Sequence, residues 1–187
     1  TETYEDKIGR VILVRKFIDG ENVDTYNVYD DRNNLVKVYP PEGTAYSYSY
    51  DNRNRLSSKD VPGAGTTFFG YNDKDELTSM TDANGNQQTF TYDGHGRSRQ
   101  TLLNGNLISD NVYDNAPGAS LGQLASSQVS ILNGGTITTN FAYDDMSRLI
   151  ETNGNNHIGG GEKITTLYEG GTDRAVKMTR EYSGYQS

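Results

Sequence analysis

Cysteine is absent from these 187 residues, which excludes disulfides and thiolate metal sites and leaves the redox compartment open. Large apolar residues are scarce. Leu, Ile, Val and Phe together number 36, just under the roughly 20% level at which a highly charged chain tends toward disorder. The net charge of −8 makes disorder the first alternative to weigh. No basic tract is present, so the phosphate backbone of a nucleic acid is not an expected partner. No apolar run approaches the roughly 18 residues of a membrane helix, and membrane insertion is not expected. Residues 1–30 lack the pattern of a secretory leader. No window joins helical periodicity to capping residues.

Reactive groups are equally sparse. His95 and His157 stand far apart in sequence and each reads as an exposed side chain rather than a base or ligand. Serines are many, but no GxSxG elbow accompanies them. Gly159-Gly160-Gly161 lacks the strand-to-helix context and the following Lys-Ser/Thr of a phosphate loop. An enzyme is not expected.

Tyrosine, in contrast, is abundant and regular. Of 14 tyrosines, eight head a recurring motif: Tyr4, Tyr29, Tyr50, Tyr71, Tyr92, Tyr113, Tyr143 and Tyr168. The four steps from Tyr29 to Tyr113 are each 21 residues, then 30 to Tyr143 and 25 to Tyr168; Tyr4 lies 25 before Tyr29. Two residues before several heads stand Tyr48, Phe69, Phe90 and Phe141, so aromatics alternate onto one face of an extended segment. After the head comes an Asx-turn residue: Asp30, Asp51, Asn72, Asp93, Asp114 or Asp144. Gly9, Asn33, Asn54 and Gly96 stand where a left-handed backbone is useful. Leu35, Leu56, Leu77 and Leu149 then restart a strand six residues after the head, with Leu124 in that role after the longer insertion that follows Tyr113.

A second turn falls mid-repeat: Pro41-Glu42-Gly43, Val61-Pro62-Gly63, Asp82-Ala83-Asn84-Gly85, Asn104-Gly105 and Asn133-Gly134-Gly135. Asn-Gly and Asp-Gly between extended runs are strong hairpin signals. Each repeat therefore reads strand, turn, strand, turn. The expected fold is all-β: an antiparallel meander of about fourteen to sixteen strands, forming a curved, partly spiralled sheet over residues 1–187 as a single array. Residues 153–161, NGNNHIGGG, read as a flexible glycine-rich loop. Tyr182 and Tyr185 mark a fragment of a further repeat, and the abrupt, strand-like opening suggests an excerpt from a longer protein.

The segments FTYDGHGRS (Phe90 to Ser98), YSYDNRNRL (Tyr48 to Leu56), FAYDDMSRL (Phe141 to Leu149) and MTDANGNQQTFTYD (from Met80) resemble the YD-repeat family, also called RHS repeats. The resemblance runs from Tyr4 to about Val176. It implies a spiralling ribbon of β-hairpins, which in bacterial polymorphic toxins, toxin-complex shells, wall-associated proteins and teneurins builds a hollow cage. Such a cage can enclose a toxic C-terminal polypeptide, and some members have been proposed to bind carbohydrate. A chain this short corresponds to an arc or turn of that β-shell. No counterpart of the segment that precedes self-cleavage in toxin relatives is present, so encapsulation and autoproteolysis are not carried over.

The motif residues Tyr29, Asp30, Tyr50, Asp51, Tyr71, Asn72, Tyr92, Asp93, Tyr143 and Asp144 are assigned structural roles, the tyrosines in packing and the Asx residues in turns. No cofactor is expected. Ca2+ is the sharper alternative for Asp30-Asp31, Asp73-Asp75-Glu76 and Asp144-Asp145, whose oxygens are hard ligands, although the spacing matches neither an EF-hand nor the nonapeptide repeat. Tyr39, Tyr46 and Tyr48, near the Pro40-Pro41 turn, are the candidates for stacking on sugar rings. The expected function is a non-enzymatic structural segment of a secreted or cell-surface bacterial protein, shielding or displaying another part of the parent chain. Its partners would be other segments of the parent or an encapsulated domain, with polysaccharide as the alternative. Unpaired terminal strands also predict edge-strand self-association.

Overall fold

A computed structural model describes residues 1–116, 118, 121–131, 134–155 and 160–183. The chain divides into two compact units, Thr1–Gln87 and Gln88–Ser187. Among the described residues every regular element is a strand, sixteen in all. The first unit carries β1 (Glu2–Glu5), β2 (Val11–Ile18), β3 (Glu21–Tyr29), β4 (Leu35–Tyr39), β5 (Tyr46–Tyr50), β6 (Leu56–Val61), β7 (Gly65–Tyr71) and β8 (Leu77–Thr81). The second carries β9 (Gln87–Tyr92), β10 (Ser98–Leu103), β11 (Asn106–Tyr113), β12 (Leu124–Ser130), β13 (Thr136–Tyr143), β14 (Leu149–Asn155), β15 (Gly161–Tyr168) and β16 (Ala175–Ser183). Within each unit the strands pair antiparallel in chain order, the arrangement that short turns permit. The all-β meander of the sequence is therefore the fold.

Each head closes a strand and sits at a bulge. The register shifts between Val28 and Tyr29, Ser49 and Tyr50, Gly70 and Tyr71, Val112 and Tyr113, Ala142 and Tyr143, and Leu167 and Tyr168. A bulge increases local twist and re-aims the following side chain, so the same bend recurs once per repeat. In the first repeat the shift falls between Tyr4 and Glu5. The residue in the head position is thus Glu5, one place later than the tyrosine spacing predicts.

Directly opposed residues project from the same side of a sheet, so the registers define two faces. The head face carries the pairs Val38–Tyr46, Phe69–Met80, Phe90–Thr101 and the row Phe141–Thr152–Ile164. The opposite face is mostly hydrophilic, as in the rows Gln100–Asp110–Gln128–Thr138 and Ser126–Asn140–Asn153–Lys163–Glu181. Among the described residues no second layer covers either face within a unit. Consequently no described side chain is fully enclosed, and Ala125 and Asn34 keep 9% exposure each. Such a sheet gains its stability from many half-buried contacts between neighbouring repeats.

Part of the anticipated glycine-rich loop is strand: Asn153 to Asn155 end β14 and Gly161 opens β15. Cross-strand pairing of Asn155 with Gly161 accounts for this. His157, Asn133 and Tyr185 lie outside the described residues. The Asn104-Gly105 turn takes the expected hairpin form. Asn104 and Gly105, at φ 51° and 80°, link the paired Leu103 and Asn106 as a two-residue turn with both central residues left-handed. Gly65 combines φ 80° with a position where a Cβ would stand 2.6 Å from the Ala83 Cβ. We expect Gly65→Val to cost about 2–3 kcal/mol, from left-handed strain plus overpacking, read as a lowered urea midpoint.

Candidate functional site

The five residues after each head form one recurrent box. In the Tyr50 repeat, Asp51 N–H donates to the Arg55 carbonyl at 2.8 Å and Asn54 N–H to the Asp51 carbonyl at 3.0 Å. The Asp51 carboxylate then accepts the amides of Arg53 and Arg55 through Oδ1, both at 2.9 Å, and the Arg55 Nε–H through Oδ2 at 2.7 Å. A type I turn followed by a left-handed residue suits this hairpin. That left-handed position is Gly9, Asn33, Asn54, Asp75, Gly96 or Ser147, with φ between 64° and 84°.

The same carboxylate bonds recur at Asp6, Asp30, Asp93 and Asp144. The first repeat's box begins at Asp6, again placing its head at Glu5 rather than Tyr4. Asn72 takes both amides through Oδ1 and turns its amide N–H to Glu76. Asp82, in a mid-repeat turn, builds the same box with Asn86. Asp114 departs from the pattern: its loop is longer, and Oδ1 accepts from the Gly122 N–H at 2.6 Å.

The residue that ends the box couples it to the next repeat. Arg55 reaches the Asn72 carbonyl at 2.8 Å and the Asp75 carboxylate at 2.7 Å, and its guanidinium lies 4.7 Å from the centroid of the Tyr71 ring. Arg10 stacks likewise on Tyr29 at 5.0 Å, Arg97 on Tyr113 at 4.3 Å and Arg148 on Tyr168 at 4.6 Å. Arg97 also forks onto Asp114 at 3.0 and 2.6 Å, and Arg148 donates to the Thr172 carbonyl. A planar, permanently charged fork can satisfy a carboxylate and cover a ring at once, which lysine cannot. Where Asn34 and Gln123 replace arginine, each still bonds the following turn, at Asn54 Oδ1 and the Ser147 carbonyl.

The head tyrosine closes the link from the other side. Its hydroxyl donates backward to the carbonyl that starts the previous repeat's return strand: Tyr29 to Val11, Tyr50 to Leu35, Tyr71 to Leu56, Tyr113 to Ser98, Tyr143 to Leu124 and Tyr168 to Leu149, at 3.0–3.2 Å. Leu124 thus does occupy the leucine position after the insertion. Burial pushes the Tyr50 and Tyr143 phenols above the usual range. The Arg97 side chain, with further donors, holds Asp93 and Asp114 down at about 2. Asp51, which chiefly accepts backbone bonds from Arg55, and Asp144, which chiefly accepts the Arg148 side chain, are lowered as well.

The sugar-stacking candidates do not share a face. Tyr46 pairs with Val38, and Tyr48 alternates with it. Tyr39 pairs with Tyr26 on the opposite side, because odd and even positions of β4 diverge. Three of the proposed calcium carboxylates accept from protein donors: Asp30 from amides and Asn34, Asp75 from Arg53 and Arg55, Asp144 from amides and Arg148. Among the described residues no group of three or more His, Asp or Glu converges. His95 is exposed, and its backbone N–H donates to Asp93 Oδ1. The arginine after the left-handed residue is the functional position that tyrosine spacing missed, although it recurs in the sequence at Arg10, Arg55, Arg97 and Arg148.

A family model described as RHS Repeat matches residues 29–67 and 71–109, two adjacent stretches of tyrosine-headed turns. Those two stretches are RHS repeats. Solved structures agree in fold. The crystal structures of TcdB2-TccC3-Cdc42 and of TcdB2-TccC3 without its hypervariable C-terminal region each align with a TM-score of 0.68 over 95% of this chain, at 13% identity. That of TcdB2-TccC3-TEV aligns at 0.57, also over 95% and at 13% identity. The chain spans only 11–14% of the length of these solved chains. No curated protein matches it.

Proposed function

We propose that this RHS segment is structural β-wall in a secreted or cell-surface bacterial protein, with its head face turned toward another part of the parent polypeptide. The observation that carries this reading is the clamp itself. Arginine and tyrosine side chains bond from one repeat to the next, and the carboxylates of the turn boxes accept from their own turns, so these groups serve the sheet itself. The wall is therefore assigned no catalytic step. Its head face bears aromatic and aliphatic side chains without a covering layer, and such a surface gains free energy when another polypeptide covers it. The likeness to segments of toxin-complex chains supports the same role at the level of fold.

Photo-crosslinking in the full-length parent tests the reading. With p-benzoylphenylalanine in place of Phe69 or Phe141, we expect intramolecular crosslinks to a region outside this segment. The same group in place of Ser58 or Gln128, on the opposite face, should give at least fivefold fewer. Equal yields from the two faces, or none from the head face, would overturn the wall assignment.

A further inference from the structure

The box after Tyr29 ends in Asn34, where Arg10, Arg55, Arg97 and Arg148 end theirs. In those four repeats the guanidinium covers the ring of the next head. Asparagine is too short to do so. Its Nδ2 donates to Asp30 Oδ2 at 3.0 Å and to Asn54 Oδ1 at 2.5 Å, and among the described residues no guanidinium lies over the Tyr50 ring. An open cavity of about 390 Å³ lies there instead, between the Tyr29 turn and β5, which is within the size range of small-ligand sites.

The lining has the chemistry of a cation site. Tyr48 and Tyr50, two residues apart on β5, border it from the head face. Asp30 and Asp31 border it from the turn, and Asp31 is exposed and engages no donor among the described residues. Asn34, nine-tenths buried, keeps its Oδ1 without a described donor. Asp51 also borders the cavity but is paired with Arg55 at 2.7 Å. Asp30 and Asp31 against the exposed Arg32 therefore leave the lining negative. Burial first, and the Asp30 charge next, raise the Tyr50 phenol, so the carboxylate's field reaches the uncovered ring.

Ring faces and carboxylates together select a cation, and a planar fork can stack on the one while donating to the other. We propose that this cavity binds the guanidinium of an arginine presented by another polypeptide segment, stacked on Tyr50 and donating to Asp30, Asp31 and the Asn34 Oδ1. The group that four sister repeats supply from their own turns is here supplied from outside. A polypeptide source fits the open geometry. Its backbone gains further contact from the neighbouring head-face pair Val38–Tyr46, whereas a free cation touches little beyond the cavity. The site is built by one turn and one strand of the first unit, and it stands whether or not the head face lines a wall.

Solution NMR of the whole chain with isotope-labelled tyrosine tests it. The probe is the capped peptide Gly-Ser-Arg-Ser-Gly, compared with its citrulline and lysine versions and with ethylguanidinium. The arginine peptide should shift the Tyr50 ring resonances saturably, the uncharged citrulline peptide should not, and the lysine peptide should bind more weakly. Asn34→Arg fills the cavity from within and should weaken binding by about tenfold or more. Asp31→Asn should weaken it about twofold to fivefold, and Arg32→Ala should strengthen it by a similar factor. Circular dichroism establishes that each variant is folded, and the two charge variants decide the matter if Asn34→Arg is not. The proposal is overturned by absence of a saturable shift at Tyr50, by equal binding of the citrulline peptide, by unchanged binding after Asn34→Arg, or by unchanged binding in both charge variants. Ethylguanidinium bound about tenfold more tightly than the arginine peptide would assign the cavity to a free small molecule and overturn the polypeptide source.

Discussion

Tyr143→Ala is expected to destabilise the second unit by about 2–3 kcal/mol, somewhat below the cost of emptying a fully enclosed aromatic site. The ring is half-buried on the head face, and its hydroxyl donates to the Leu124 carbonyl at 3.0 Å across the link between repeats. Removing the ring deletes packing and leaves that carbonyl without its donor. Tyr143→Phe isolates the second effect and should cost about 1 kcal/mol, the net worth of one such bond. As an exposed comparison, Tyr39→Ala should change stability by less than about 0.5 kcal/mol. Urea denaturation followed by circular dichroism gives all three values. Equal costs for Tyr143→Ala and Tyr39→Ala would remove the head tyrosine from the clamp.

Acid should unfold the chain late, chiefly between about pH 4 and pH 2. The carboxylates of the turn boxes have folded values depressed below the ordinary 3.8, with Asp93 and Asp114 at about 2. The cause is the Arg97 guanidinium together with backbone N–H donors, all of which favour the ionised form. A group with a depressed folded value binds fewer protons folded than unfolded. Its stabilisation is therefore complete above the unfolded value and is lost as pH falls toward the folded one. Asp6, Asp30, Asp51, Asp82 and Asp144 are lowered in the same direction, so the losses coincide. Melting temperatures should stay nearly level from pH 7 to about pH 5 and then fall steeply. Replacing Asp93 with Asn keeps one acceptor for the two amides but forfeits the charged pair, and should flatten the steep limb as well as lower the plateau. A uniform decline from pH 7 would mean that the boxes do not govern stability.

Much of this was legible because its causes are local. The Asp-x-x-Gly/Asn spacing after Tyr50 and Tyr92 specifies a tight turn whose donors and left-handed residue all lie within five positions. The strands between turns follow from the same punctuation, and so does their antiparallel order, since short turns leave no other partner. Even the leucine role of Leu124 survives a long insertion because it is fixed by where the next strand must start.

What the sequence left open were relations across strands. Whether Tyr39 joins Tyr46 and Tyr48 depends on register, and a shift of one position sends a side chain to the other face. The first head moved from Tyr4 to Glu5 for a related reason: the bulge and the Asp6 box, rather than the tyrosine, mark the end of the strand. Asn153 to Asn155 became strand because β15 lies beside them. The arginine that ends each box is visible in sequence, yet its ring partner lies 16 to 20 residues further along. By itself the sequence determined the repeat, its turns and an all-β meander, since hydrogen bonds within a few residues decide those. Only the tertiary structure decided which aromatics lock neighbouring repeats and which stay free on the surface, because pairing register and bulges set the face each one occupies.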